Sequence, residues 1–366
     1  MNQEGFLNVT ESTIAGSNPA LPRVFFTQKY GWAVPVLLGV GLLLAIVSSL
    51  CVGAYPISPG RAVRLLLYLV WPFHSSAGSQ FNLKELTVMR IIRSPRVLLA
   101  SLAGMGLGIS GTALQGMMRN PLVGPDIIGV TSGAAFGGVV AISLELSPVW
   151  LITLAFCGGL LAMVCTFSLA KLARSSANSM ILILAGIFIG AFFLALVGLV
   201  EYYGNIFRIR DWIIGSFVGA DWTKVMTIAI PTLLGGAVLM ALRWRMNLLS
   251  LNDLDAKSLG VNVSVLRWTI IALVSLIVSA QVAVSGIVAW VGLVVPHCAR
   301  MLVGPDHRRL LPTAGLLGAL FVLGLDDLTR SIVHGGLPVG TLTAVVGTPI
   351  VCFLLWKSQG KGWGHE

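Results

Sequence analysis

The fold is decided by residues 93–122, which read RSPRVLLASLAGMGLGISGTALQGMMRNPL. No charged side chain lies between Arg96 and Arg119, and about 20 apolar residues are enough to cross a bilayer. Glycines recur inside this run, at positions 104, 106, 108 and 111. Small residues let membrane helices approach one another closely, in a solvent that gives no hydrophobic drive to pack. The stretch therefore predicts a membrane-spanning helix that packs within a compact bundle.

The rest of the chain continues this pattern. Of its 366 residues 56% are hydrophobic and 10% are charged, and the mean hydropathy is +0.90. Soluble domains carry about 25% charged residues, so this chain has too few charges to cover a water-facing surface. We predict an all-α polytopic membrane protein with about ten transmembrane helices in one compact bundle. The predicted spans are 32–54, 95–116, 127–144, 149–170, 180–202, 223–242, 268–287, 288–303, 311–329 and 339–356.

The chain ends are polar and flank a single transmembrane domain. Residues 1–31 lack the basic and then apolar pattern of a cleaved signal, so we predict a cytoplasmic N-terminal tail. The transmembrane domain covers 32–357, and 358–366 form a cytoplasmic C-terminal tail. A mild excess of Lys and Arg on the inner side supports this orientation. We expect a multi-pass protein of the bacterial inner (plasma) membrane.

Several function classes are disfavoured by what the sequence lacks. The five cysteines have no paired spacing, so neither a disulfide framework nor a metal site is expected. The net charge of +10 contains no basic block, which favours the lipid bilayer and an acidic partner over nucleic acid. The G-x-x-x-x-G-K-[ST] phosphate loop is absent, and the spans carry few ionisable groups for ion coupling. We therefore expect no cofactor in this chain and an external source of energy.

The inner loop 246–264 predicts a short helix followed by a sharp corner. Asp253 and Lys257 have the spacing of a helical ion pair, and Gly260 suits the left-handed residue that ends a helix. The apolar positions that share one face are Leu251, Leu254 and Leu259. This knuckle is either a docking element for a soluble partner or an interfacial helix that lies on lipid.

Three arginines precede the second span on its outer side. Arg90, Arg93 and Arg96 are spaced by three, which predicts one helical face and opposes the positive-inside trend. They are either snorkelling anchors or an electropositive ledge for an acidic partner. Arg330, on the outer side of another span, could join them.

A turn follows the second span on its inner side. Asn120-Pro121 is a turn signal at the inner mouth of the bundle. It is either a constriction or a plain connection between helices.

Read together, these segments resemble the permease family of iron-chelate and cobalamin ABC importers. The resemblance covers residues 35 to 357, and its motifs occur in family order. They are RSPR (93–96), SG (110–111), QG (115–116), RNPL (119–122), GV (129–130), SGAA (132–135), LGV (259–261), VGLVVPH (291–297), DHRRLLP (306–312) and LPVG (337–340). One departure is Gly336, where the family usually has Glu.

The resemblance implies a complete transport assembly. Two ten-helix permease subunits, identical or related, would enclose a central path. Two cytoplasmic ATPase subunits would bind ATP and magnesium, and a periplasmic binding protein would deliver the cargo. A ferric siderophore is the first expectation for that cargo, then haem, then cobalamin.

The resemblance also implies roles for particular residues. Docking of the binding protein falls to Arg93, Arg96 and Arg330. Coupling to the ATPase falls to Asn252, Asp253, Leu254, Asp255, Lys257, Leu259 and Gly260. The cytoplasmic gate falls to Asn120, Leu122, Asn178 and Ser179.

Two other function classes compete with this interpretation. Gly108-Ile109-Ser110-Gly111 fits the G-x-S-G pattern of intramembrane serine proteases, for which His297 would have to act as the base. The other alternative is an ion-coupled secondary carrier, which transports without ATP or a soluble partner.

Overall fold

The computed structural model describes residues 32–53, 55, 57–70, 82–172, 179–250, 253–332 and 337–359. Helices, turns and bends make up this part of the chain, and it contains no strand, so the predicted all-α class is confirmed. The α-helices are α1 (Ala33–Cys51), α2 (Pro59–Val70), α3 (Leu83–Thr87), α4 (Ser94–Met118), α5 (Val130–Ser143), α6 (Pro148–Leu172), α7 (Ser179–Tyr203), α8 (Ile206–Ile213), α9 (Trp222–Leu249), α10 (Asp253–Ser258), α11 (Val263–Ser285), α12 (Val291–Val303), α13 (His307–Ile332) and α14 (Val339–Gln359). A π-helix, Val88–Arg93, leads into α4, and a 3₁₀ turn, Pro125–Ile128, precedes α5.

The helices account for every predicted span. In the described part, 7 helical segments are long and apolar enough to cross a membrane, and they contain α1, α4, α6, α7, α9, α11 and α13. The shorter apolar helices α5, α12 and α14 coincide with the remaining predicted spans. Helix α9 runs to Leu249, beyond the predicted end at 242, because the arginines that follow mark the membrane interface without breaking the helix.

Helix α4 is the centre of the bundle. It packs against α9, α11, α12 and α13, and most of its length is buried. Its glycines lie where neighbouring backbones touch. A Cβ on Gly104 would lie 2.1 Å from the carbonyl oxygen of Gly318, and one on Gly111 would lie 1.8 Å from that of Gly292. These crossings therefore require glycine for the close approach of the two backbones.

Helices α5, α6 and α7 form a second group beside α4. Helix α5 crosses α6 at Gly137, where a Cβ would lie 2.0 Å from the carbonyl oxygen of Leu154. Helices α1, α6 and α7 expose much of their apolar surface, including Phe188 and Phe192 on α7. Apolar surface of this extent suits lipid or another membrane subunit.

Candidate functional site

Helix α10 forms a short knuckle at the end of the bundle that the sequence predicts to be the inner one. Ala256 is buried against the protein, whereas Leu254 and Leu259 are 71% and 59% exposed. Gly260 has φ +80°, and its N–H donates to the carbonyl of Lys257 at 2.9 Å. The next N–H donates back to Ala256 at 3.1 Å, which completes a Schellman motif. The predicted left-handed stop is confirmed, and it gives the knuckle a fixed corner. Asn252 lies outside the described residues.

Asp253 turns toward the bundle. Its Oδ1 accepts from Nη2 of Arg119 at 2.7 Å and from Nη2 of Arg267 at 2.9 Å. The predicted ion pair with Lys257 is therefore wrong. Two guanidinium groups approach Asp253 from α4 and α11, and Lys257 remains exposed. Charge-assisted hydrogen bonds of this kind are stronger than neutral ones, so they fix the start of α10.

The inner turn after α4 is joined to this knuckle. Arg119 ends α4 in a left-handed conformation, with φ 52° and ψ 30°, and its Nε donates to the carbonyl of Leu249 at 2.7 Å. Asn120 Oδ1 then accepts from the N–H of Leu122 at 2.9 Å and closes an Asx turn. Leu122 is 49% exposed. Of the other predicted gate residues, Asn178 lies outside the described residues.

The remaining predicted gate residue, Ser179, is the first residue of α7. The structure describes its backbone, while its side chain lies outside the described part.

A polar cluster beside this turn was not predicted from the sequence. Asn247 Nδ2 donates to Asp306 at 2.6 Å, and the N–H of His307 donates to Asn247 Oδ1 at 2.9 Å. Partial burial raises the pKa of Asp306, but the N–H of Arg308, the Asn247 amide and the charges of Arg308 and Arg309 together hold that pKa below its usual value. The sequence signal that could have indicated this cluster is the Gly-Pro-Asp turn at 304–306, which precedes Arg308 and Arg309.

At the end of the bundle that is predicted to be the outer one, two of the three predicted docking arginines share a buried carboxylate. Arg96 places Nε 3.1 Å and Nη2 2.9 Å from Asp326 Oδ1, and Arg330 places Nε 3.1 Å from Asp326 Oδ2. Arg330 also pairs with Asp327. Asp326 is 0% exposed, so its charge depends on these partners.

Arg330 and the third arginine, Arg93, cap the end of α1. Arg93 donates to the carbonyl of Leu50 at 2.7 Å and to that of Tyr55. Arg330 donates to the carbonyls of Ser49 and Val52 at 3.2 Å. The last carbonyls of a helix have no partner within it, so guanidinium groups satisfy them here.

The predicted single face of Arg90, Arg93 and Arg96 is wrong. Arg90 is exposed, whereas Arg93 is buried, with only 4% of its surface exposed. The reason is the π-helix over Val88–Arg93, which turns less per residue than an α-helix and so shifts the face. The structure brings Arg93, Arg96 and Arg330 together, but as an inward-facing cluster. Their docking role stays a prediction.

The protease alternative finds no catalytic pair. Ser110 is fully buried in α4, and its hydroxyl has no hydrogen-bond partner in the described part of the chain. A serine nucleophile needs a base within hydrogen-bond reach, which His297 does not supply.

In the described part of the chain, ten apolar helices with α4 at their centre, and the knuckle at one end of the bundle, have the architecture of a membrane transport permease. The profile of the FecCD transport family matches residues 41–357, and the chain belongs to that family. Its relatives are permease subunits of ABC importers, so the chain is a transport component and not an enzyme.

Relatives from several organisms match most of the chain. The molybdate import permease MolB of Haemophilus influenzae is 40% identical over 335 residues, covering 89% of this chain and 97% of that protein. The hemin transport permease HmuU of Yersinia pestis is 38% identical and covers 75% and 84%. The Fe(3+) dicitrate permease FecC of Escherichia coli is 35% identical and covers 90% and 97%.

The fold also matches a solved structure. An inward-facing chain assigned to a metal-chelate type ABC transporter superposes with a TM-score of 0.77 at 36% identity. The match covers 89% of this chain and 99% of the other.

Proposed function

We propose that this chain pairs with a second permease subunit, identical or related, to form the membrane path of an ATP-driven importer. Two ATPase subunits bind the inner side and carry the ATP and magnesium, and this chain holds no cofactor. A periplasmic binding protein delivers the cargo on the outer side. Both termini lie in the cytoplasm of a bacterial cell.

The observation that carries this proposal is the form of α10. Leu254 on α10 and Leu259 just after it are exposed on a segment that is fixed at both ends, by Asp253 and by the Gly260 corner. A helix that lies on lipid needs a broad apolar face and a basic polar face. The 6 residues of α10 include one large apolar side chain, Leu254, which does not make a broad apolar face. A cleft in a soluble partner suits it better.

The outer cluster supports docking of an acidic partner. Among the residues that the structure describes, the three arginines, Arg93, Arg96 and Arg330, face two carboxylates, Asp326 and Asp327, so this set of side chains carries a net positive charge. Carboxylates on a binding protein complement that charge. Docking at this site needs the partner to approach arginines that already hold α1, which links docking to the packing of that helix.

The inner gate in this proposal is the turn at Asn120 and Leu122, with the start of α7 at Asn178 and Ser179 as its second element. Support comes from the half-exposed Leu122 and from its position next to α10. This proximity lets a movement of α10 reach the turn through a direct contact.

For the cargo we propose a metal-centred chelate, with a ferric siderophore as the first candidate. Relatives named for iron dicitrate and iron chelatin transport support that choice. Molybdate is the second candidate, because the molybdate permease MolB is 40% identical and is covered over 97% of its length.

Purification of the tagged chain from its native host in gentle detergent, followed by mass spectrometry, tests the assembly. We expect an ATPase subunit to accompany the chain, with or without a second permease. Repeated recovery of the folded chain alone would refute the proposal. The recovered importer and its binding protein, placed in proteoliposomes, then separate the cargoes. Uptake of radioactive ferric siderophore supports the first candidate, and uptake of molybdate alone supports the second.

A further inference from the structure

We propose that Arg119 is a positioning residue that transmits the movement of α10 to the inner gate turn. The inference rests on the proposed function, because it assigns the mechanical link between the coupling knuckle and the gate of that same importer.

The geometry of one side chain carries the inference. Nη2 of Arg119 lies 2.7 Å from Asp253 Oδ1, at the first residue of α10. Its Nε lies 2.7 Å from the carbonyl oxygen of Leu249, at the last residue of α9. The backbone of Arg119 is the C-cap of α4. A single guanidinium group therefore joins the ends of three helices.

The backbone of Arg119 gives a second, independent observation. Its φ of 52° lies in the left-handed region, which residues with a Cβ seldom occupy. At the corner after α10, glycine occupies the residue with positive φ, at Gly260, whereas Glu145 after α5 shares the positive φ of Arg119 without glycine. Glycine adopts this conformation without strain. The contacts of the guanidinium group offset the strain at position 119, and strained residues of this kind cluster at switch regions.

The gate turn is attached directly to this strained residue. The N–H of Asn120 donates to the carbonyl of Gln115 at 3.2 Å, and its side chain holds the N–H of Leu122. Residues 119–122 are therefore one hydrogen-bonded unit on the end of α4. When α10 moves with its partner, Asp253 moves Arg119, and the unit that carries Leu122 turns with it.

Asp253 also holds Arg267 of α11, which makes a purely local role the competing explanation. A local role fixes the fold of the knuckle and affects binding of the ATPase. A transmitting role leaves that binding intact and changes only how much transport each hydrolysis event yields. The two roles therefore predict different results for the same variants.

The test uses the complete importer in proteoliposomes, with ATP hydrolysis and cargo uptake measured on the same sample. Arg119→Gly removes the guanidinium group and keeps a backbone suited to positive φ. Asp253→Asn removes the charge and keeps the shape. We expect both variants to retain the ATPase and to hydrolyse ATP, while uptake per ATP falls at least about 5-fold, the lower end for coupling between sites. The double variant should lose less than the sum of the two single losses, because both variants remove the Arg119–Asp253 contact. Each variant also removes one contact of its own, that of Asp253 with Arg267 or that of Arg119 with Leu249. Arg243→Gln, on the inner end of α9 and outside this link, is the matched control.

Full uptake per ATP in Arg119→Gly would overturn the proposal, and so would additive losses in the double variant. Loss of the ATPase from either variant would also overturn it, since Arg119 and Asp253 would then form a binding surface. Absence of an ATPase from the wild-type preparation is a different result, because it refutes the proposed function itself. Thiol labelling of Leu122→Cys, in a background without the native cysteines, gives a direct readout. ATP should change its labelling rate when Arg119 is present and leave the rate unchanged in Arg119→Gly.

Discussion

The crossing of α4 and α13 allows a sharp test of the packing argument. A Cβ built on Gly318 lies 2.2 Å from the carbonyl oxygen of Gly104 and 3.0 Å from its carbonyl carbon. Both of these atoms belong to the backbone, so no side chain can rotate away. Alanine at position 318 must therefore push the two helices apart by more than 1 Å to reach an ordinary contact of 3.4 Å or more.

The expected cost follows from these distances. Overpacking in a tight core costs about 1–3 kcal/mol, and a contact with backbone lies at the upper end of that range. Alanine in place of glycine returns up to about 1 kcal/mol of helix propensity. We therefore expect Gly318→Ala to destabilise the chain by about 2 kcal/mol.

The same helix offers a matched control. Gly324 also lies in α13, and a Cβ there would meet nothing within 4 Å. Gly324→Ala should be neutral, or stabilising by up to about 1 kcal/mol. Thermal unfolding of both purified variants in the same detergent, followed by tryptophan fluorescence, measures the difference. Equal midpoints of thermal unfolding for Gly318→Ala and Gly324→Ala would refute the conclusion that the crossing of α4 and α13 has no room for a Cβ.

Three further predictions concern charge and the knuckle. Asp326→Asn leaves Arg96 and Arg330 without their buried carboxylate and should lower the free energy of unfolding by about 3–5 kcal/mol. Size-exclusion chromatography should show a loss of folded protein. The control Arg208→Gln, at an exposed position, should change little. A Cβ at position 260 meets open space, but φ +80° costs a residue with a side chain about 1–2 kcal/mol. In Gly260→Val we therefore expect ATP hydrolysis to persist while uptake falls. Full coupled uptake would contradict the role of Gly260 in coupling. Because the folded pKa of Asp306 is depressed, its contribution to stability should be complete at neutral pH. The contribution should decline as the pH falls below about 3.9, the unfolded value, and through the lower folded pKa. An unchanged acid profile of unfolding in Asp306→Asn would contradict this.

The spans could be predicted from sequence because the bilayer imposes a single strong rule. Every predicted span coincides with a helix in the described part of the chain, including the glycine-rich α4 and the shorter α5. Helix ends were less predictable. Arg243 and Arg245 ended the predicted span at 242, but arginine is a good helix former, and α9 continues to Leu249.

The candidate site was predictable where the cause is local and not where it is long-range. Gly260 was identified correctly because a helix corner depends on neighbouring residues. The partner of Asp253 was not, because Arg119 lies 134 positions away and Lys257 has the standard local spacing. The π-helix that separates Arg90 from Arg93 has no comparable sequence signal, so the predicted face was displaced.

Both candidate sites are anchored on the same helix. Arg96 lies near the outer end of α4, and Arg119 forms its inner cap. Between them α4 is largely buried and crosses α13 and α12 at backbone contacts that leave no room for a Cβ. A helix held in this way cannot bend freely, since interdigitated backbones resist small displacements. Under the proposed function, a signal between docking outside and coupling inside therefore travels as a rigid movement of α4 with its neighbours. The inner turn can move relative to α4, because the hydrogen-bonded unit after Arg119 extends beyond the packed part of the helix.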